Sequence, residues 1–501
     1  MSAYAESIPA TAIALIIICY LLEAKSLHRE KYSKAGIPFT MPSVERGVAV
    51  IVPPRQLKSV YGLPEDVVGV KAAQDQTLQV DWTIWDKRIT GVRFHISVIR
   101  HQLTRNLKQL TPAIADELKR GFDQWWGTGT EWRELSIWDS CFKLVAGASN
   151  RAFCGVPLCR DIDFIQRLRD HALAIFLGGA AINATPKLIR PVIGLFTGLL
   201  CEFLFRRALK KCMPVVRERL EKMAMLRSDP SYSWSPPEDS LQWIVEESFA
   251  CKDPDQLLPE IICKRLLLIN DISLHTTSFT VHNLILDLVS SDPAKGYVHA
   301  LREECDRVIK EAGGSWTFEA INKLKLVDSA IRESIRFTPI TSVGLPRTVV
   351  HPDGIQLENS EVKIPYGTTL ATPMEAIHYD EDIYKNARQF DAFRFADPEV
   401  VKDIFDAFGQ DAPKGKKGHL NNKPRSSLNL DDAFVGFGFG KHGCPGRYFA
   451  LNEMKIFVAH MLLHYDLEFA KERPQLIDFL WLKLPFHGGK VRVRRRAAPP
   501  V

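Results

Sequence analysis

One of the ten cysteines stands in a setting suited to chemistry. Phe437 to Gly446 reads FGFGKHGCPG, and a helical run, RYFALNEMKIFVAHMLL, follows at once. Glycines let a backbone take positive φ and approach a flat cofactor closely. The N-terminus of the following helix favours a negative sulfur through its dipole and free N–H groups. Cys444 is therefore placed to be a thiolate; the plainer alternative is an inert cysteine in a glycine-rich turn. The remaining cysteines show neither paired zinc-ligand spacing nor the density of a disulfide scaffold. Cys154 and Cys159 lack a partner pair, and these thiols read as core residues facing a reducing compartment.

Two further groups carry polar chemistry at helical spacing. Glu333-Ser-Ile-Arg336 puts a carboxylate and a guanidinium on one helix face, with Arg394 downstream in FDAFRF. Alone, such a pair is as easily a surface ion pair. Asn270 to Ser278 reads NDISLHTTS within a long apolar helix. The hydroxyl of Thr276 both donates and accepts and can lean on a helix carbonyl, as an ordinary helix threonine also does.

Together these motifs resemble the cytochromes P450. Phe437, Gly440, Cys444 and Gly446 fall in register with the family's cysteine-ligand signature, with His442 at its basic position. The resemblance implies haem b held by the Cys444 thiolate, which favours O–O cleavage. It implies that Glu333, Arg336 and Arg394 lock together to brace the cysteine loop. It matches Thr276 to the threonine that delivers protons to bound dioxygen. His275 stands where the acid is usual, and a histidine also relays protons near neutral pH. Propionate partners are expected from His101 and Arg105 in RHQLTR, Arg347 in LPRTV, and His442. Phe437 and Gly446 complete the cofactor contacts. The implied partners are a separate NADPH-cytochrome P450 reductase, O2 and a small apolar substrate. The His-Thr-Thr reading resembles fungal enzymes of secondary metabolism that oxidise terpenoids or meroterpenoids. Two other readings keep the haem: an isomerase or dehydratase that uses no O2, and a non-catalytic haem sensor or carrier. Thr276 argues against both.

The elements that must position these residues follow from patterning. The chain has 501 residues, 46% of them hydrophobic, and a net charge of +6. No internal repeat or convincing linker divides the globular part. The fold class is mainly α with small β-sheets (α+β), as one large haem domain over 55–501. Helical periodicity dominates residues 90 to 340, with Val98 to Leu110 a clear case. Pro259 to about Ser290 predicts one helix of roughly 45 Å. Short strands are expected from Val343 to Thr369, and an exposed loop over 409 to 427, whose lysines are candidates to dock an electron donor.

The charge-free run Ile8 to Leu22, followed by Lys25, His28, Arg29, Lys31 and Lys34, predicts a membrane anchor over 1–24. A cleaved signal peptide would need a basic start and a small-residue cleavage site. Residues 25–54 read as a basic, proline-rich hinge. The expected location is the endoplasmic reticulum membrane, single-pass, with the catalytic domain in the cytosol. A second apolar stretch, 171 to 205, is interrupted by Arg190, Pro191 and Glu202. It reads either as a helix-loop-helix resting on lipid or as core. The basic end KVRVRRR reads as an edge strand with a solvated face, and no nucleic-acid motif accompanies it.

Overall fold

Apolar residues at i, i+3 and i+4 produce a layered array of long helices, described by a computed structural model over residues 34–43, 47–229, 231–358, 361–406, 424–469, 472–479, 481–485 and 489–497. The helices that frame the site are α1 (Leu107–Trp125), α2 (Ile137–Phe153), α3 (Ile162–Ala184), α4 (Arg190–Ser228), α5 (Pro259–Val289), α6 (Tyr297–Glu311), α7 (Lys325–Phe337) and α8 (Arg447–His464). At 31 residues α5 runs through the centre, opened by a proline in its first turn, where a missing N–H costs nothing. α2, α5, α7 and α8 contribute to one large core that includes Leu144, Leu284, Ile331 and Phe457.

The helix expected over Val98 to Leu110 is broken. Val98–Leu103 winds as a π-helix, and α1 begins only after Asn106, whose side-chain amide donates to the carbonyl oxygen of Gln102 at 3.0 Å. Such side-chain bonds compete with the regular ladder, and π turns widen a helix locally.

The described part of the 25–54 segment expected as a hinge, 34–43 and 47–54, belongs to the globular body instead. Strands β1 (Phe39–Ser43) and β2 (Gly47–Ile51) form an antiparallel hairpin. They join a five-stranded sheet in the order β1–β2–β6–β5–β3, with β3 at Val68–Gly69, β5 at Gly344–Val349 and β6 at Thr369–Thr372. β2 runs parallel to β6 and is buried against it. The unbroken apolar run Ala49 to Val52, buried throughout, carries the strand despite the prolines.

The basic C-terminal stretch also departs from expectation. β8 (Lys490–Arg495) is the central strand of a sheet, between β4 (Arg133–Ser136) and β7 (Tyr465–Leu467). Its cations meet carboxylates: Arg492 with Glu468 at 2.9 Å, Arg494 with Asp466 at 3.3 Å and Arg495 with Asp123 at 2.6 Å.

The stretch 171 to 205 does form a helix-loop-helix, the α3–α4 corner. Its outer face exposes Leu177, Leu188, Val192, Phe196 and Phe203, with Leu188 91% exposed. The expected anchor over 1–24 and most of the 409–427 loop lie outside the described residues. No described helix is long and apolar enough to cross a membrane.

Candidate functional site

The cysteine loop folds back on itself before α8 begins. The Cys444 N–H donates to the Phe437 carbonyl oxygen at 2.7 Å. Gly438 sits at φ +92°, and a Cβ there would meet the Gly443 Cα at 3.1 Å, so only glycine fits this turn. Burial pushes the Cys444 thiol up, while the Gly446 and Arg447 N–H groups and the Arg447 charge pull it back. A coordinating metal ion deprotonates such a thiol outright.

Glu333 and Arg336 are both fully buried and paired through two bonds, of 2.7 and 2.8 Å. Arg394 adds two more bonds to Glu333 at 3.0 Å, and the Asp391 N–H donates to it at 3.0 Å. The other arm of Arg336 reaches the carbonyls of His378 and Ala387 at 2.6 and 2.7 Å. Neighbouring Glu333 holds the Arg336 charge in place despite burial.

The brace reaches the cysteine loop through a residue that sequence reasoning missed. His378 is fully buried and stacks on Phe434 at 5.6 Å. Its Nε2 accepts the Val435 N–H at 3.2 Å. Burial and the nearby Arg336 and Arg332 charges push its pKa down to about 3, so it stays a neutral acceptor. A lone histidine at the end of the short helix Met374–His378 gives no sequence signal for this. Gly436 adds a second link, because a Cβ there would strike Ile335 of α7 at 2.3 Å.

Cationic groups gather on one side of the loop. Arg347 is 4% exposed; its guanidinium meets the Pro346 carbonyl at 2.9 Å and the face of Tyr61 at 5.0 Å, and the Glu65 carboxylate is near enough to act on its charge. Burial lowers its pKa. Burial, and then the nearby Arg347 and Arg100 charges, lower the His442 pKa, and its Nε2 is 3.8 Å from Glu65. The π-helical segment carrying Arg100 and His101 packs on the loop, with Ile99 3.8 Å from where a Cβ of Gly446 would lie. His101 is exposed and shares a hydrogen bond of 3.1 Å with Ser97. Arg105 is exposed, and no described carboxylate pairs with it. A buried guanidinium with no carboxylate in salt-bridge contact among the described residues is costly unless an anion reaches it. The donor set thus fits a flat cofactor with carboxylate arms and a thiolate-bound metal.

α5 supplies an open stripe within an otherwise buried helix. Ile272, 58% exposed, Thr276 and Thr280 follow at i, i+4 and i+8. The Thr276 hydroxyl donates to the Ile272 and Ser273 carbonyl oxygens, both at 3.2 Å, which leaves its lone pairs free to accept. His275 turns to a different face. Its ring packs 5.3 Å from that of Phe142 on α2, and burial with the Arg169 charge lowers its pKa to about 4. It is a neutral group beside the site rather than a charged one within it.

Comparison with known proteins agrees with this geometry. The family model described as Cytochrome P450 matches residues 202–492. The chain is 45% identical over 493 residues to the cytochrome P450 monooxygenase okaG of Penicillium ochrochloron, covering 97% of this chain and 92% of that protein. It is 31% identical over 475 residues to the monooxygenase gloP of Glarea lozoyensis, covering 93% and 85%. It is 32% identical over 500 residues to cytochrome P450 monooxygenase 71 of Postia placenta, covering 98% and 93%.

Proposed function

The chain belongs to the cytochrome P450 family as a monooxygenase, and from that premise we propose that it inserts one oxygen atom of O2 into a bulky apolar small molecule. When bound, haem supplies the oxygen activation and electron transfer; the protein positions and tunes. Cys444 would hold the metal through its thiolate. Arg347, His442, His101 and Arg105 would hold the carboxylate arms of haem. Thr276 presents a fixed hydroxyl on the open stripe of α5, where it orders water and passes protons. Electrons come from NADPH through a separate reductase.

The observation that carries this reading is the pairing of an open Thr276 stripe with a braced cysteine loop. An isomerase or a sensor has no need of the former. The test is turnover with NADPH and reductase: product is expected only when both are present, and equal product without them contradicts the reading. The finer assignment to terpenoid or meroterpenoid substrates rests on the His275-Thr276-Thr277 resemblance. Spectral titration with polycyclic terpenoids, against aromatic and peptidic molecules of like size, tests it.

The proposed location is the endoplasmic reticulum membrane, with residues 1–24 as the anchor. The apolar outer face of the α3–α4 corner supports contact with lipid. Leu188→Asp with Phe196→Asp is expected to weaken vesicle binding of a protein lacking residues 1–24. Unchanged binding would remove this surface from the account.

A further inference from the structure

The open stripe of α5 extends beyond Thr276 toward the N-terminus of the helix. From Ile261 to Val289 seven residues of α5 are not buried, and five of them, Lys264, Leu268, Ile272, Thr276 and Thr280, recur at every fourth position. Residues four apart form one ridge along a helix. Lys264 and Thr280 are sixteen residues apart, about 24 Å at the usual rise per residue. A helix that is otherwise largely buried thus keeps one accessible line, from near its start to the Thr276 side of the site.

At its N-terminal end the ridge meets a cleft. Lys264 and Leu268 line it from α5, Ile175 from α3 and Phe205 from α4, and Ile84 closes another side. The cleft offers about 20 Å³ of space. One water molecule needs about 10–15 Å³, whereas a drug-sized apolar ligand needs roughly 300–1,000 Å³. Only a very small molecule passes. The polar groups of the walls are engaged already. Lys264 Nζ meets Glu202 of α4 at 3.6 Å and Asp86 at 3.5 Å. The Thr83 hydroxyl donates to the Leu78 carbonyl oxygen at 2.8 Å, and His171 meets Asp271 at 3.1 Å. The rest of the wall is apolar side chains and the Cys201 thiol. Small apolar cavities stay dry and take up apolar guests such as xenon.

We propose that the α3–α4–α5 cleft is the inlet for dioxygen, and that O2 travels along the Leu268–Ile272 ridge to the Thr276 side of the site. This rests on the monooxygenase reading. Dioxygen is diatomic and apolar, so it fits both the size of the cleft and the character of its walls. From Leu268 to Thr276 the ridge gives it a track of about 12 Å. Ile272, 58% exposed, is the apolar step between the two. The bulky substrate reaches the site by another way, so gas and substrate do not compete for one entrance. Leu268 is half-buried and lies both in the cleft and on the ridge. Its size should set how fast a diatomic molecule arrives, without altering the cysteine loop or the brace beneath it.

The test is flash photolysis of the carbon monoxide complex of the full-length holoenzyme, with carbon monoxide as the diatomic probe. Recombination from solvent is compared in wild type, Leu268→Trp and Leu268→Ala. Leu268→Trp is expected to slow it several-fold and Leu268→Ala to speed it, with the carbon monoxide band unmoved in both. The O2 concentration for half-maximal turnover should rise in Leu268→Trp by a similar factor, while the spectral Kd of a bulky apolar substrate stays at its wild-type value. Equal recombination rates in the three proteins overturn the proposal. So does a Leu268→Trp protein whose substrate binding is slowed as much as its carbon monoxide binding, because the cleft is then a general entrance. If Leu268→Trp does not fold, Phe205→Trp narrows the same cleft from α4, and a wild-type rate there overturns the proposal too. Recombination needs neither NADPH nor reductase. Wild type without any product would therefore fell the monooxygenase reading, and the photolysis rates would still decide whether the cleft carries a diatomic molecule.

Discussion

The two sides of the site are built on opposite plans. Beneath the cysteine loop, Glu333, Arg336, Arg394 and His378 form a chain of bonds in which the carboxylate accepts from two guanidiniums and a backbone N–H. Above it, α5 exposes Ile272 and Thr276 and buries His275 Nε2 and Ser278 Oγ without hydrogen-bond partners among the described residues. Saturation gives rigidity, because a buried charge that loses its partner is expensive. Incomplete satisfaction leaves room for water, ligand and protons. Stability and reactivity are thus separated in space, and substitutions should fall into two classes.

The largest effect is expected in the brace. Glu333→Gln or Arg336→Ala strands a buried charge and should cost about 3–5 kcal/mol. Haem content after expression is the measurement, and a normal content would erase the distinction between the two sides. His378→Leu comes next. It leaves the Val435 N–H unpaired, at about 1–3 kcal/mol, and should speed haem loss to an acceptor protein without altering the spectrum of what remains bound.

On the open side the order reverses. Thr276→Val should leave the melting temperature nearly unchanged yet lower product per NADPH about 10-fold, with peroxide making up the difference. A large drop in stability with intact coupling would show that Thr276 belongs to the rigid half.

A pH effect sharpens the comparison further. Glu453 of α8 is fully buried, accepts Ser149 Oγ at 2.8 and 2.9 Å, and is pushed by burial up to about 8. A raised carboxyl favours the fold while protonated, and that contribution is lost as pH rises from about 4.5 towards 8. Wild-type stability should therefore decline across that window, by up to about 1.4 kcal/mol per pH unit. Glu453→Gln should flatten the slope, as followed by urea unfolding at several pH values.

Legibility in the sequence followed the same division. Motifs with fixed spacing, such as Phe437 to Gly446 and Glu333 to Arg336, were readable because glycine conformation and helix periodicity are local rules. The long span of α5 was readable for the same reason. His378 was invisible because its role depends on two segments that meet only in the fold. The β1–β2 hairpin was misread because prolines outweighed the short apolar run Ala49 to Val52. The break at Asn106 was missed because a side-chain amide competing for one carbonyl leaves no periodic trace. His275 was legible as a departure, but its turn toward Phe142 is set by how α2 packs on α5.

The most direct test of the central claim is the carbon monoxide difference spectrum of the dithionite-reduced protein in membranes, beside Cys444→Ser. A strongly red-shifted Soret band that is lost in Cys444→Ser is the expected result and fixes Cys444 as the axial thiolate. Well-folded protein that binds no haem, or a red-shifted band that survives Cys444→Ser, would contradict the account.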